Sequence, residues 1–556
     1  MNPQSEEPRP GTGTVSLVGI GPGDAGLLTL RGAEVLAEAD VVITVREPGP
    51  EMAKHRAPLL AHCREGVQVI DPEQAAEEID TTAVRHAEQG RRVVRLYSGD
   101  PFLGCRGDRL ADACRAAGVD FEVVPGVSSV TGVPAFAGVP LMPPGVSELR
   151  VVNAREDKVD WPRLAADLAE RDDATLAVFF PEVPDDGGRS GTGFDWLVKA
   201  LTAGGHPGTT PVAVTRMGAT TEQSTIRSTL SRLTAEMKAA DAKGHNITAP
   251  ALFMMGPGVA RQAELSWYES KPLFGWRVLV PRTKEQAASL SEQLRGYGAV
   301  PEEVPTISVE PPRTPQQMER AVRGLVTGRY QWVAFTSVNA VRAIRERFEE
   351  YGLDARAFAG VKVAAVGEQT AARLREFGIQ PDLAPPEDKQ SGAGLVEVWP
   401  PYDAELDPIE RVLLPRADIA TETLSAGLTD LGWEVDDVTA YRTVRAAPPP
   451  APVREAIKGG AFDAVLFTSS STVRNLVGIA GKPHNTTVIA VIGPETEKTA
   501  LEFGLRVDVV APKASVSALA EAVSEYGAKQ RAEALAAGKP ALKPSQKRRG
   551  RRRKAL

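Results

Sequence analysis

At 556 residues and 42% hydrophobic content the chain is too long for one core, and at roughly 150 residues per domain it should divide into three or four compact units. A net charge of -7 gives no general electrostatic case for nucleic acid, and no apolar run has the length of a membrane span or the pattern of a signal peptide. The three cysteines, Cys63, Cys105 and Cys114, have neither disulfide-framework nor zinc-site spacing, which fits a reduced cytoplasm and no resident metal.

Residues 1–12, "MNPQSEEPRPGT", offer nothing to bury and are expected to be disordered. From Gly13 the β-branched runs "VSLVGIG", "ADVVITV", "RRVVRLYSGD" and "DFEVVPG" alternate with helical stretches such as "LRGAEVLAEA" and "RLADACRAAG". This alternation predicts an α/β domain over 13–262 with mostly parallel sheets, in lobes of about 13–145 and 146–262. "TLAVFF", "PVAVTRMG" and "APALFMMG" supply strands of the second lobe.

The first strand runs into Gly19, Gly21 and Gly23, which permit a tight turn and close backbone approach. In the frame set by Gly19 and Gly21, a dinucleotide fingerprint would need glycine at position 24, where Asp24 stands. A carboxylate there is awkward beside pyrophosphate and tolerable beside a sulfonium or an amino group. "YSGDPFLG" makes a second turn and "VVPGVSS" a third. Such turns also serve plain strand–helix packing and alone specify no ligand.

The aromatic and Pro/Gly-bearing stretch 263–275, within "SWYESKPLFGW", reads as a linker. A second α/β domain, 276–526, follows and contains an internal repeat. "VLVPRTKEQAASLSEQLRGYGAVPEEV" is echoed by "VLLPRADIATETLSAGLTDLGWEVDDV", "FTSVNAVR" by "FTSSSTVR", and "VAAVGEQTAARLREFG" by "IAVIGPETEKTALEFG". Three blocks recurring in order predict two similar lobes. Each repeated strand ends in Thr-Ser, or in Gly followed by Thr, where a helix starts. Ser and Thr there can simply cap the helix. Open helix starts at the carboxyl ends of parallel strands also suit anions. Four in matched pairs suggest a cleft for a polycarboxylate with few obligatory arginines, held mainly by backbone donors. Tyr441, in "VTAYRTV", falls at the crossover between lobes, as a proton donor or as packing. Residues 527–556, ending in "KRRGRRRK", read as a disordered, solvated basic tail with no nucleic-acid contact expected.

In family order, "VLVPR", "FTSVNAV", "AAVGEQTA", "AYRTV", "FTSSSTV" and "VIGPETEKTALEFG" resemble uroporphyrinogen-III synthase. The resemblance implies two flavodoxin-like lobes joined by paired extended strands, with the first strand–helix unit in the same lobe as the C-terminal blocks. It implies closure of hydroxymethylbilane with inversion of its last ring and no cofactor. Thr336, Ser337, Thr370, Ser469, Ser470 and Thr496 would bind substrate, and Tyr441 would assist departure of the terminal hydroxyl.

The glycine turns, with "PVAVTRMGATTEQSTIRSTL" and "APALFMMG", resemble the tetrapyrrole methylases, most of all uroporphyrinogen-III C-methyltransferase. This implies S-adenosylmethionine held by Gly21, Pro22, Gly23, Ser98, Gly99, Asp100, Leu103, Ser128, Ser129 and Ala213. It implies methylation at C2 and C7 to precorrin-2, and a homodimer, since the family commonly dimerises. The chain departs from the family at Val45 (an aspartate there, before Arg46), at Met142-Pro143-Pro144 (Thr-His-Arg) and at Pro181 (a methionine). Two readings of this half stay open: an active methyltransferase, or a domain kept for stability, dimerisation or product handling. A non-enzymatic tetrapyrrole-binding regulator is the alternative for the whole chain.

Overall fold

The computed structural model describes residues 13–45, 57–72, 76–154, 159–180, 194–242, 251–386, 389–419 and 422–548. Arg46, Pro181, residues 1–12 and most of the basic run lie outside them. The chain divides into two compact units, 1–275 with 296–300, and 276–295 with 301–556.

In the N-terminal unit the first sheet contains β1 (Thr14–Gly19), β2 (Val41–Ile43), β3 (Gln68–Ile70), β4 (Val93–Tyr97) and β5 (Asp120–Val124). Their order is β3-β2-β4-β1-β5, all parallel. Val15, Leu17, Val42, Val94 and Leu96 are buried, as continuous apolar strands between two helical layers must be.

The second sheet holds β6 (Glu148–Asn153), β7 (Ala174–Phe180), β8 (Pro211–Arg216), β9 (Ser224–Thr229) and β10 (Ala251–Met255), in order β6-β7-β10-β8-β9. Here the expectation of a mostly parallel sheet fails. Only β6 and β7 run parallel; β10 lies antiparallel to both β7 and β8, and β9 returns beside β8 as a hairpin. The short connection 217–223 leaves no room for a crossover helix, so β9 has to reverse direction.

The C-terminal unit contains β11 (Arg277–Val280), β12 (Val300–Glu303), β13 (Ile307–Glu310), β14 (Trp332–Phe335), β15 (Lys362–Ala365), β16 (Arg411–Ala417), β17 (Glu434–Arg445), β18 (Ala464–Phe467), β19 (Val488–Val491) and β20 (Val509–Val510). They form two sheets, β12-β11-β18-β19-β20 and β13-β17-β16-β14-β15. The chain therefore leaves the β11 lobe after β12, builds the β14 lobe, and returns at β18. β17 runs parallel to β16 and then pairs antiparallel with β13, so two extended strands carry both crossings. In each lobe the connections diverge from two adjacent strands, β11 and β18 in one and β14 and β16 in the other. The crevice at their carboxyl ends is the topological switch point where ligands of open α/β sheets bind.

Two expected boundaries shift. The helix Val516–Ala536 crosses the position where the tail was to start, because Leu519, Ala520 and Val523 anchor it and "AKQRAEALA" favours helix. Further on, the Ser545 N–H donates to Asp463 at 2.8 Å, and Arg277 N–H donates to the other oxygen of that buried carboxylate at 2.9 Å. The stretch read as a linker also packs: Tyr268 and Leu273 are buried, and Phe136 meets the rings of Trp267 and Tyr268 at 5.2 and 4.7 Å. Aromatic area of this size is worth burying wherever a surface accepts it. Among the described residues no helix is long and apolar enough to cross a membrane.

Candidate functional sites

In the N-terminal unit three glycine turns meet at the carboxyl ends of β1, β4 and β5. Gly21 and Gly99 form an antiparallel bridge, with Gly99 N–H donating to the Gly21 carbonyl at 2.9 Å. A methyl group at Gly126 would stand 2.1 Å from the Gly99 carbonyl oxygen, and one at Gly19 would stand 2.5 Å from it. Only glycine fits there, so these turns are a cradle made of backbone.

Asp100 holds the cradle together. One carboxylate oxygen accepts from Phe102 N–H at 2.9 Å and the other from Gly126 N–H at 3.2 Å. Ser128 caps the helix Ser129–Ala137 through Val130 N–H, and Asp24 caps a short 3-10 turn through Gly26 N–H. Pro22 lies against Gly132, and Ser98 receives the Cys105 thiol on its carbonyl. Burial pushes that thiol up to about 11, so it stays protonated. Leu103 is exposed on the following loop, while Ala213 is fully buried under the helix Ser129–Ala137. The structure thus brings together the predicted residues of the three turns, and seals Ala213 behind them.

A fourth element was missed by sequence reasoning. Met217 and Ala219 adopt left-handed backbone, with φ of 48° and 59°, a conformation that non-glycine residues rarely hold without reason. A methyl group on Gly23 would stand 2.9 Å from the Gly218 carbonyl oxygen, so this turn closes on the first cradle loop. Gln223 stabilises it by accepting from Ala219 N–H at 2.8 Å and donating to Glu269 at 2.9 Å. The glycine in "RMGATTEQ" marks a turn, but nothing in these residue types announces positive φ at Met217 or Ala219.

In the C-terminal unit the predicted residues fall into two sets, one per lobe. Ser337 caps the helix Val338–Glu350 through Ala340 N–H, and its hydroxyl lies 2.9 Å from the Tyr441 hydroxyl. Tyr441 sits where β17 slips against β16, between Arg416 and Ala417, a bulge that re-aims the side chain. Thr336 lines a cavity of about 290 Å³ at the β14/β16 switch point, with Ser391, Arg416 and Thr423 supplying its other polar walls. Ser391 itself caps the helix Gly392–Val398.

In the β11 lobe, Ser469 forms a capping box with Thr472 at the start of Ser470–Ala480. Ser470 donates to the Glu495 carbonyl at 3.0 Å and accepts from Thr499 at 2.9 Å, joining two helix starts. Among the described residues no hydrogen bond links the two lobe sets.

Thr370 and Thr496 are each only 4% exposed, packed within the first turns of their helices. Glu368–Glu376 and Pro494–Glu502 begin at Gly367 and Gly493 with no side-chain cap, and a methyl group at either glycine would meet nothing within 4 Å. What these two starts offer a ligand is therefore backbone N–H rather than the threonine hydroxyls. The starts divide by type: the serine starts carry side-chain caps, and the glycine starts are open.

The family models match in the same order as the units. Tetrapyrrole (Corrin/Porphyrin) Methylases matches residues 14–234, and Uroporphyrinogen-III synthase HemD matches 288–521. The chain belongs to both families, a tetrapyrrole methylase joined to a uroporphyrinogen-III synthase. A Ruminiclostridium josui protein named porphyrin biosynthesis protein HemD is 29% identical over 93% of this chain and 98% of its own. A Bacillus subtilis uroporphyrinogen-III C-methyltransferase is 30% identical over 66% of this chain and 74% of its own. A solved Thermus thermophilus uroporphyrin-III C-methyltransferase, complexed with S-adenyl homocysteine, is 29% identical over 45% of this chain and 99% of its own, with a TM-score of 0.33.

The methylase cradle suits the cofactor that its family uses. It is lined by backbone from three turns, and the Asp100 carboxylate is already engaged by two N–H groups. Among the described residues no cluster of His, Cys, Asp or Glu could hold a metal ion. In the synthase domain, sequence reasoning passed over the arginines that end the repeated words "VLVPR" and "VLLPR", Arg282 and Arg416.

Proposed function

We propose that the synthase domain cyclises hydroxymethylbilane to uroporphyrinogen III with inversion of ring D. The observation that carries this reading is the Tyr441–Ser337 hydroxyl pair, 2.9 Å apart, held by a strand bulge beside the β14/β16 switch point. Tyr441 protonates the terminal hydroxyl of the bilane, which leaves as water. The azafulvene so formed is attacked by the substituted carbon of its own far ring, giving a spiro intermediate that reopens and recloses inverted. Switch-point donors grip the acetate and propionate groups and bar direct end-to-end closure, so catalysis is mainly positioning.

The methylase domain, in the same proposal, takes uroporphyrinogen III to precorrin-2 by methylation at C2 and C7. S-adenosylmethionine supplies the methyl group. The turns around Gly21, Gly99 and Ser128 hold it, and Asp100 fixes their spacing. Joining the domains raises the local concentration of the shared intermediate. The proposal includes a cytoplasmic protein that dimerises through the methylase domain. Val45 supports a second reading, because it packs beside the apolar cluster of Val42, Leu36 and Leu96 where the family has a carboxylate. On that reading the domain binds its ligands without methylating.

The test is a product analysis on the full chain. Hydroxymethylbilane should give the type III isomer in excess of the type I isomer that forms without enzyme. Adding S-adenosylmethionine should then give a dimethylated product. Type I alone would overturn the synthase assignment; type III without methylation would select the second reading.

A further inference from the structure

The repeat offers an internal control, because Arg282 and Arg416 occupy the same place in its two copies, and so do Glu303 and Asp437. In the β14 lobe the copy is closed. Arg416 remains in the β16 ladder opposite Thr439 and makes a two-pronged pair with Asp437, donating from Nε at 2.7 Å and from Nη2 to the second oxygen.

In the β11 lobe the strand stops sooner. Arg282 N–H donates to the Val280 carbonyl at 2.9 Å across Pro281, a tight turn that takes Arg282 out of the ladder. Thr306 donates to the Pro281 carbonyl at 3.2 Å and holds the turn. Glu303, left without its arginine, accepts from the buried Ser291 hydroxyl at 2.7 Å. The matching Ser425 turns back to its own helix, donating to the Glu422 carbonyl at 3.0 Å.

Arg282 is thus partly buried at the carboxyl end of β11, and among the described residues its guanidinium has no hydrogen-bond or ion-pair partner. Burial lowers its pKa from the ordinary guanidinium value, with no neighbouring carboxylate to offset that. A guanidinium stays charged at neutral pH even so. A partly desolvated, unpaired cation is costly unless a ligand anion completes it.

We infer that Arg282 is the substrate-carboxylate anchor of the β11 lobe, binding one acetate or propionate group of the linear tetrapyrrole, whereas Arg416 is committed to Asp437. The inference rests on the synthase reading above and assigns it a residue. A planar fork is the donor that matches a carboxylate two-on-two. The β11/β18 switch point therefore uses a side-chain cation as well as backbone N–H.

The experiment compares Arg282→Gln and Arg282→Lys with the full-length parent. Uroporphyrinogen III is titrated under anaerobic conditions by tryptophan fluorescence, alongside steady-state isomer formation and melting temperature. Arg282→Gln should raise Kd and KM about ten-fold or more, the size expected for a lost charged hydrogen bond, with melting temperature unchanged. Arg282→Lys should recover part of the affinity through its charge. If Arg282→Gln binds and turns over like the parent while the parent makes type III product, Arg282 is no anchor and the synthase reading stands. A lower melting temperature with unchanged KM would make its role structural and overturn the inference. A parent that neither binds uroporphyrinogen III nor makes type III product would overturn both.

Discussion

The two synthase lobes repeat the same words and put them to different uses. In the β14 lobe the strand runs on through Pro415, so Arg416 stays in register and Asp437 takes its fork. In the β11 lobe the chain turns at Pro281, so the same arginine leaves the sheet and the matching carboxylate goes to Ser291. Three residues of strand length separate an internal ion pair from an open cation. An internal repeat therefore conserves fold more tightly than it conserves chemistry.

The sharpest way to break this comparison is to remove each arginine in turn. Arg416→Met leaves the Asp437 carboxylate without its fork, and the Arg416 side chain is only 13% exposed. Loss of one partner from such a pair should cost about 2–3 kcal/mol, less than for a fully buried pair because Asp437 keeps some solvent. Denaturant unfolding of the full chain should show this loss for Arg416→Met and none for Arg282→Met. Equal losses would mean that the lobes differ less than their hydrogen bonds indicate.

A smaller effect separates the serine caps. Ser337→Ala and Ser469→Ala should each cost about 1 kcal/mol as lost N-caps. Only Ser337→Ala also strips the partner from the hydroxyl of Tyr441, a residue that is buried as a whole. Turnover should therefore fall several-fold in Ser337→Ala and Tyr441→Phe, and hold in Ser469→Ala. Steady-state formation of type III product measures all three. Unchanged turnover in Tyr441→Phe would remove its role as proton donor.

Much of this was legible in the sequence, for identifiable reasons. The strand–helix alternation and the repeat depend on hydrophobic period and repeated words, which are local and redundant, whereas the return of the chain to its first lobe was implied only by the family resemblance. The mixed second methylase sheet was not legible, because β10 inserts between β7 and β8 by a pairing that no local pattern encodes. The contrast between Arg282 and Arg416 was hidden for a related reason. "VLVPR" and "VLLPR" look alike, and only the partner strand reveals which arginine remains in register. The left-handed Met217 and Ala219 were invisible too, since neither residue type announces positive φ and Gln223 acts from four residues away. The packed 263–275 segment misled through its prolines and glycines, although its aromatic residues pointed to burial.

The least disruptive comparison is also the most discriminating for the open helix starts. Gly367 has a φ of 88°, where a side chain strains the backbone, whereas Gly493 has a φ of 174°, an extended conformation that any residue adopts. Neither has a neighbour within 4 Å of the position a methyl group would take, so packing drops out and backbone strain alone remains. Gly367→Ala should cost about 1 kcal/mol. Gly493→Ala should fall within about 0.5 kcal/mol of the parent, as unconstrained substitutions do. Both variants keep the N–H groups at the helix starts, so uroporphyrinogen III titration distinguishes stability from access. If the Gly493→Ala methyl group weakens binding without changing stability, the space in front of that helix is where a ligand carboxylate sits. If it changes neither, the start at Gly493 is open without being used, and the grip of the β11 lobe falls to its side chains.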